Sequence, residues 1–321
     1  MGDAEPNPAP GAPGESSHDG PGLSPAIHVS GLTKRYGHTV ALAGLTMTVP
    51  RGEVFGFLGP NGAGKTTAVK LLLGLAQPTS GEGMVLGSPL GTLEARRQVG
   101  YLPELFRYQS WLKAREVLGL HCRLAQLERS SWPAAIKGAL ATVGLSDRAD
   151  DKVAGFSKGM QQRLGLGVAL LGNPRLVLLD EPTSALDPVG RHDVREVVRG
   201  LRDQGAAVFL NSHLLSEVEL VCDRVAVVDH GRVVAAGRLD ELLARPQVRV
   251  RCTGLSAETR QALSAFGAIT DDEGWLTVGG IGSDRVPDLV RAIVDGGGRV
   301  HAVDPGQQTL EERFLQLIEA A

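Results

Sequence analysis

Residues Gly59 to Thr67 read GPNGAGKTT. The stretch matches G-x-x-x-x-G-K-[ST], the pattern of a phosphate-binding loop. Before it, Glu53–Leu58 (EVFGFL) is an apolar, strand-like run, and after it Thr66–Leu75 has a helical pattern. Strand, loop and helix in that order predict one unit of an α/β fold. Gly59, Gly62 and Gly64 let the backbone fold back until its N–H groups reach phosphate oxygens. Pro60, Asn61, Ala63 and Thr67 complete the predicted contact set, and the helix start adds partial positive charge. Lys65 can reach the β- and γ-phosphates, and the Thr66 hydroxyl can ligate Mg²⁺. With 42 glycines in 321 residues, glycine-rich turns come easily to this chain. The flanking strand and helix are what lift the match above chance.

The length suits one large domain plus a smaller one. The apolar fraction of 42% and charged fraction of 21% are those of a globular protein. A net charge of −3 argues against a strongly basic nucleic-acid surface. Cys122, Cys222 and Cys252 are scattered and lack metal-ligand spacing, which predicts free thiols in a reducing compartment. No apolar run approaches the ~18–20 residues that span a bilayer. The N-terminus lacks a basic-then-apolar signal pattern, so neither spanning nor secretion by that route is expected.

Residues 1–25 are rich in Pro, Gly, Ser and acids and are expected to form a disordered tail. IHVSGLTKRY and LAGLTMTV then read as two antiparallel strands. Tyr36, in the turn region between them, is either a solvent-facing hairpin residue or a stacking platform for a base. Glu82–Leu86 is a further expected strand, and Val99–Pro103 another, ending at Glu104. From about 112 to 171 apolar residues recur at three- and four-residue spacing, predicting a helical insert. It ends in Gly155–Arg163 (GFSKGMQQR), where Ser157 reads as a helix N-cap. Arg175–Asp180 (RLVLLD) is a buried-strand pattern running into Asp180 and Glu181. Carboxylates there suit a Mg²⁺–nucleotide site, Asp180 holding the ion and Glu181 orienting the attacking water. Ala206–Leu210 is one more buried strand, and it places His213 at the same edge. A lone His is more often structural, but three strands delivering Lys65, Asp180/Glu181 and His213 to one edge favour function.

In order and spacing these residues resemble the ATP-binding cassette of ABC transporters, over about Ile27–Leu243. Tyr36 matches that family's aromatic A-loop, GPNGAGKTT its Walker A, and RLVLLD with Glu181 its Walker B and catalytic carboxylate. Ser184–Asp187 (SALD) matches the D-loop and His213 the H-loop. FSKGMQQR aligns with the LSGGQ signature and its QQR, with Ser157 and Gly159 intact. Two positions depart: Glu104 stands where the family carries Gln, and Lys158 replaces the first signature Gly while Met160 replaces the Gln. Lys158 is either a cationic contact across a dimer or a surface lysine.

The resemblance implies an α/β P-loop NTPase core with an antiparallel β subdomain and a helical insert, and the alternation and periodicity after about Pro246 add a small C-terminal α+β domain. Residues 26–245 would be the cassette, with its helical subdomain at about 105–171, and 246–321 the accessory domain. In that domain the pattern predicts strands at 248–252, 268–270, 274–278 and 298–303, and helices at 256–266, 284–295 and 310–318. The resemblance further implies ATP and Mg²⁺ as cofactors, with Thr66, Asp180 and Glu104 near the ion and Asp187 among the nucleotide contacts. It implies a head-to-tail cassette dimer in which Ser157 and Gly159 serve the partner's nucleotide. Lys65, Glu181 and His213 would carry hydrolysis. YLPE, NSHLLSEVE and TLEERFLQL resemble the ABC-2-type exporters, implying separate transmembrane permease subunits and a place on the inner face of the cell membrane. An importer's ATPase, a soluble relative acting on DNA or ribosomes, and a binding module without turnover are the competing readings. The single cassette, the absence of a heptad run and the acidic balance count against nucleic acid as a partner.

Overall fold

A computed structural model describes residues 24–184, 186–243, 247–272, 274–305 and 309–320. The expected tail at 1–25 and the expected boundary at 245/246 fall largely outside these residues. The first part of the chain runs β1 (Ile27–Tyr36), β2 (Thr39–Val49), β3 (Val54–Leu58), α1 (Lys65–Leu72), β4 (Ser80–Val85), β5 (Ser88–Pro89), α2 (Leu93–Arg97) and β6 (Val99–Leu102). The insert supplies α3 (Ala114–Leu124), α4 (Trp132–Thr142) and α5 (Lys158–Ala169). The core resumes with β7 (Leu176–Asp180), α6 (Pro188–Asp203), β8 (Ala207–Asn211), α7 (Leu215–Val221), β9 (Arg224–Asp229), β10 (Arg232–Arg238) and α8 (Leu239–Leu243).

The central sheet has the order β10-β9-β3-β8-β7-β6. It is parallel except for β10, which returns antiparallel from β9. Its inner strands β3, β7 and β8, and the middle of β9, are buried on both faces, which is why they read as continuous apolar runs. Val54, Leu58, Val177, Leu179, Val208 and Leu210 enter the core shared with the insert and α6. Phe55, Phe57, Leu176, Leu178, Ala207 and Phe209 enter the other, under α1 and the antiparallel sheet. Phe209 stacks on Phe55 and lies 5.1 Å from the Phe57 ring.

The antiparallel sheet has the order β2-β1-β4-β5. The two expected strands are its β1–β2 hairpin. The strand expected at Glu82–Leu86 is instead Ser80–Val85, because Leu86 turns away with φ +53°. The β9–β10 hairpin has no counterpart in the sequence reading, although His230-Gly231 (φ +44° and +76°) carries the turn signal for it.

Beyond the cassette come β11 (Gln247–Thr253), α9 (Ala257–Leu263), β12 (Ala268–Asp272), β13 (Trp275–Gly279), α10 (Val286–Asp295), β14 (Arg299–Asp304) and α11 (Leu310–Glu319). The strands form one antiparallel sheet of order β12-β13-β11-β14. With its β-α-β-β-α-β order this is a split β-α-β unit. α11 leaves that unit and returns to the cassette. Leu310 is buried in the cassette core with Phe314, Leu317 and Ile318 packed against it, and its N–H donates to the Glu219 carboxylate on α7 at 2.9 Å. No helix among the described residues is long and apolar enough to cross a membrane.

Candidate nucleotide site

Strand register brings the site together. Phe57 on β3 and Asp180 on β7 both pair with Asn211 on β8, so the three strands end level. The phosphate loop follows β3 directly. Gly59 is packed so closely that a Cβ there would lie 2.2 Å from the Val228 carbonyl oxygen. Gly64 has φ +100°, and a Cβ on it would meet the Ala41 carbonyl oxygen at 2.4 Å. Only glycine fits either place. The N-terminus of α1 has no side-chain cap, which leaves its first N–H groups available to an anion. Thr66 is exposed in that first turn and Thr67 is half-buried.

Lys65 is buried, and its Nζ donates to the carbonyls of Gly59 at 2.6 Å and Pro60 at 3.1 Å. Burial lowers its pKa, and the charges of Glu181, Asp180 and Glu104 oppose that shift. Lys65 thus sits within the field of all three predicted carboxylates. Burial raises the pKa of Asp180, while a hydrogen bond from Asn211 holds it down. Glu104 is exposed just after β6, and its charge acts on Asp180 and on Tyr101. Burial, with Asp180 and Glu104 adding to it, pushes the Tyr101 phenol up to about 12.

Glu181 has a left-handed backbone, φ +51°, rare for a residue with a long side chain. Its N–H donates to the Asn211 carbonyl at 2.9 Å. Its Oε1 accepts the His213 backbone N–H at 2.9 Å, and its Oε2 lies 2.8 Å from His213 Nδ1. One oxygen of the carboxylate is therefore held by the His213 backbone, while Oε2 lies close to the 57% exposed His213 ring but is buried without a hydrogen-bond partner.

The remaining predicted residues lie at the rim. Tyr36 ends β1, is 48% exposed, and has the Lys34 ammonium 4.9 Å from its ring centroid. Its hairpin reaches the loop through Ala41, the residue that crowds Gly64. Ser157 is the N-cap of α5 and accepts from the Met160 N–H at 3.2 Å. Ser157 and Lys158 are both exposed. A Cβ on Gly159 would lie 3.3 Å from Leu186, and Gln162 donates to the Pro182 carbonyl at 3.1 Å, so the signature helix rests on the segment after Glu181. Asp187 acts locally as the N-cap of α6, accepting from the Gly190 N–H at 2.8 Å. Sequence reasoning missed Asn211. A polar residue closing a buried strand run was the available signal.

The donor chemistry fits Mg²⁺ carried in with a nucleotide. Thr66 and Asp180 offer hard oxygens, and the Asn211 Oδ1 is buried without a protein partner. Among the described residues no group of three His, Cys, Asp or Glu could hold a metal by itself.

A family model described as ABC transporter matches residues 42–184. An uncharacterized ABC transporter ATP-binding protein of Nostoc is 39% identical over 282 residues, spanning 87% of this chain and 84% of that protein. The Nod factor export ATP-binding protein I of Rhizobium meliloti is 35% identical over 92% of this chain and 90% of its own length. These alignments are longer than the cassette and extend into the C-terminal unit. Among solved structures, an ATP binding subunit of an ABC transporter superposes with a TM-score of 0.62 at 32% identity, over 68% of this chain and 91% of that one. On its fold, its site and these relatives, the chain belongs to the ABC transporter ATP-binding proteins, a family of ATPases.

Proposed function

We propose that this chain is the ATP-hydrolysing subunit of an ABC exporter of the ABC-2 type. It would work beneath separate transmembrane permease subunits on the inner face of the cell membrane. Residues 26–245 act as the motor cassette and 246–321 as an accessory domain. The observation that carries this reading is the Glu181 carboxylate, buried within the field of Lys65, with Oε1 accepting the His213 backbone N–H and Oε2 left 2.8 Å from the His213 ring without a hydrogen-bond partner. The export-protein relative supports the direction.

In this reading the loop N–H groups and Lys65 bind the ATP phosphates, and Tyr36 stacks on the adenine. Mg²⁺, held by Thr66 and Asp180 with Glu104 nearby, would offset the phosphate charge. Glu181 accepts a proton from the attacking water, and His213 fixes its orientation while its exposed ring faces the γ-phosphate. Ser157 and Gly159 of a second copy close the site from across a head-to-tail dimer. Closure on binding and release on hydrolysis form a phosphate-driven switch.

The transport role is tested by pull-down of the full chain from detergent-solubilised native membranes, with identification of the co-purifying proteins by mass. A polytopic membrane protein is expected. Recovery of ribosomes, nucleic acid or soluble proteins alone would overturn the reading.

A further inference from the structure

Asn211 closes β8 directly beside Asp180 and is 3% exposed. Its Nδ2 donates to Asp180 Oδ1 at 2.5 Å, and its carbonyl accepts the Glu181 N–H at 2.9 Å. One residue therefore touches both carboxylate positions. The amide can face Asp180 in only one way. Turned over, it would set two oxygens against each other at that distance. Its Oδ1 consequently points away from Asp180, is buried, and has no partner in the protein.

Leaving such an oxygen unsatisfied is destabilising, because it gives up its hydrogen bonds to water and gains none. The preceding strand residues Ala207–Leu210 are all apolar and buried, so an apolar residue at this place would avoid the cost. Buried orphans in folded proteins commonly mark a missing water or ion. Mg²⁺ characteristically keeps several of its waters when bound by few protein ligands, and each such water is a strong donor.

We propose that Asn211 is a positioning residue for the divalent cation: its amide N–H fixes one oxygen of Asp180, and its Oδ1 accepts from a cation-bound water. The proposal rests on the Mg²⁺–ATP reading of the site. Asn211 touches neither nucleotide nor reacting atoms and works through Asp180 and water. Residues that stand behind a metal's direct ligands in this way orient those ligands and tune affinity. The role requires β7 and β8 to be neighbours in register, which the central sheet supplies.

The test is made on the full chain in a Glu181→Gln background, so that ATP is not consumed. A fluorescent ATP analogue is titrated in EDTA and then across a Mg²⁺ series, for the parent and for Asn211→Ala and Asn211→Leu. Affinity in EDTA should stay within about twofold, because the phosphate loop is intact. The Mg²⁺ concentration giving half of the metal-dependent gain should rise about tenfold or more. Asn211→Thr, which restores a hydroxyl, should recover part of the shift. Superimposable Mg²⁺ curves would overturn the proposal. So would an equal loss of affinity with and without metal, or loss of the fold in both variants, since Asn211 would then only support the strand end. A parent that binds ATP without any Mg²⁺ dependence would instead strike the underlying site reading.

Discussion

The central sheet of the cassette is covered on both faces, whereas helices cover the sheet of residues 247–304 on one face. On the second sheet's other face Arg249 lies 5.0 Å from the Trp275 ring, and both are only partly buried. The two regions also differ in what they bury. Lys65, Gln162, Asp180, Glu181, Thr183, Asn211, Ser212 and Glu217 are buried polar residues of the cassette, and the C-terminal unit has none among its described residues. Burying such groups costs stability unless they are partnered. The cassette accepts that cost at one edge of its sheet, where the chemistry sits. The C-terminal core of Val248, Val250, Leu263, Leu276, Val278, Ile281, Leu289 and Ile293 is apolar throughout, as a structural unit requires.

Truncations in the two cores put this contrast under the greatest strain. Phe209→Ala should destabilise the cassette by about 3–5 kcal/mol and abolish ATP binding at elevated temperature. Leu289→Ala should cost about 2–5 kcal/mol in the C-terminal unit alone. Urea unfolding should then show a separate early transition, with ATP affinity retained. A single shared transition in the second variant would mean that the two regions fold as one. Leu310→Ala tests the link between them. Its loss of about 2–5 kcal/mol should register in the cassette transition, because Leu310 is buried there.

Lys65→Ala should weaken ATP binding by about 10–100-fold, the worth of a charge-assisted hydrogen bond of about 1.5–3 kcal/mol. Equilibrium dialysis checks it, and unchanged affinity would remove the phosphate-loop assignment. The smallest expected effect is Ser157→Ala. Loss of the α5 cap should cost about 1 kcal/mol in a thermal melt. Ser157→Arg should in addition prevent ATP-induced dimerisation, and an ordinary dimer would count against the head-to-tail sandwich.

Much of the site was legible because its residues follow strand-end patterns. Lys65, Asp180, Glu181 and His213 each stand after an apolar run, so a parallel sheet brings them to one edge. The features that stayed hidden depend on neighbours far apart in sequence. Asn211 acquires its role from pairing with Asp180, and nothing local to NSH shows that pairing. Asp187 is the opposite case: the motif makes it a nucleotide contact, while its capping of α6 is local, three residues from Gly190, and Asp before Pro188 is a legible helix-start signal. In the C-terminal unit the elements were readable from alternation and periodicity. Their order in the sheet was not, because a short antiparallel strand carries no label for its partner.

The hydrolytic role of the buried carboxylate stands or falls on the behaviour of Glu181→Gln with Mg²⁺ and ATP. Steady-state phosphate release and light scattering after gel filtration are measured on the same sample. Glu181 as the residue that activates water predicts hydrolysis reduced by about 10²–10⁴-fold, retained ATP binding, and a stable ATP-bound dimer. Phosphate release at the wild-type rate from a chain that remains monomeric would contradict it.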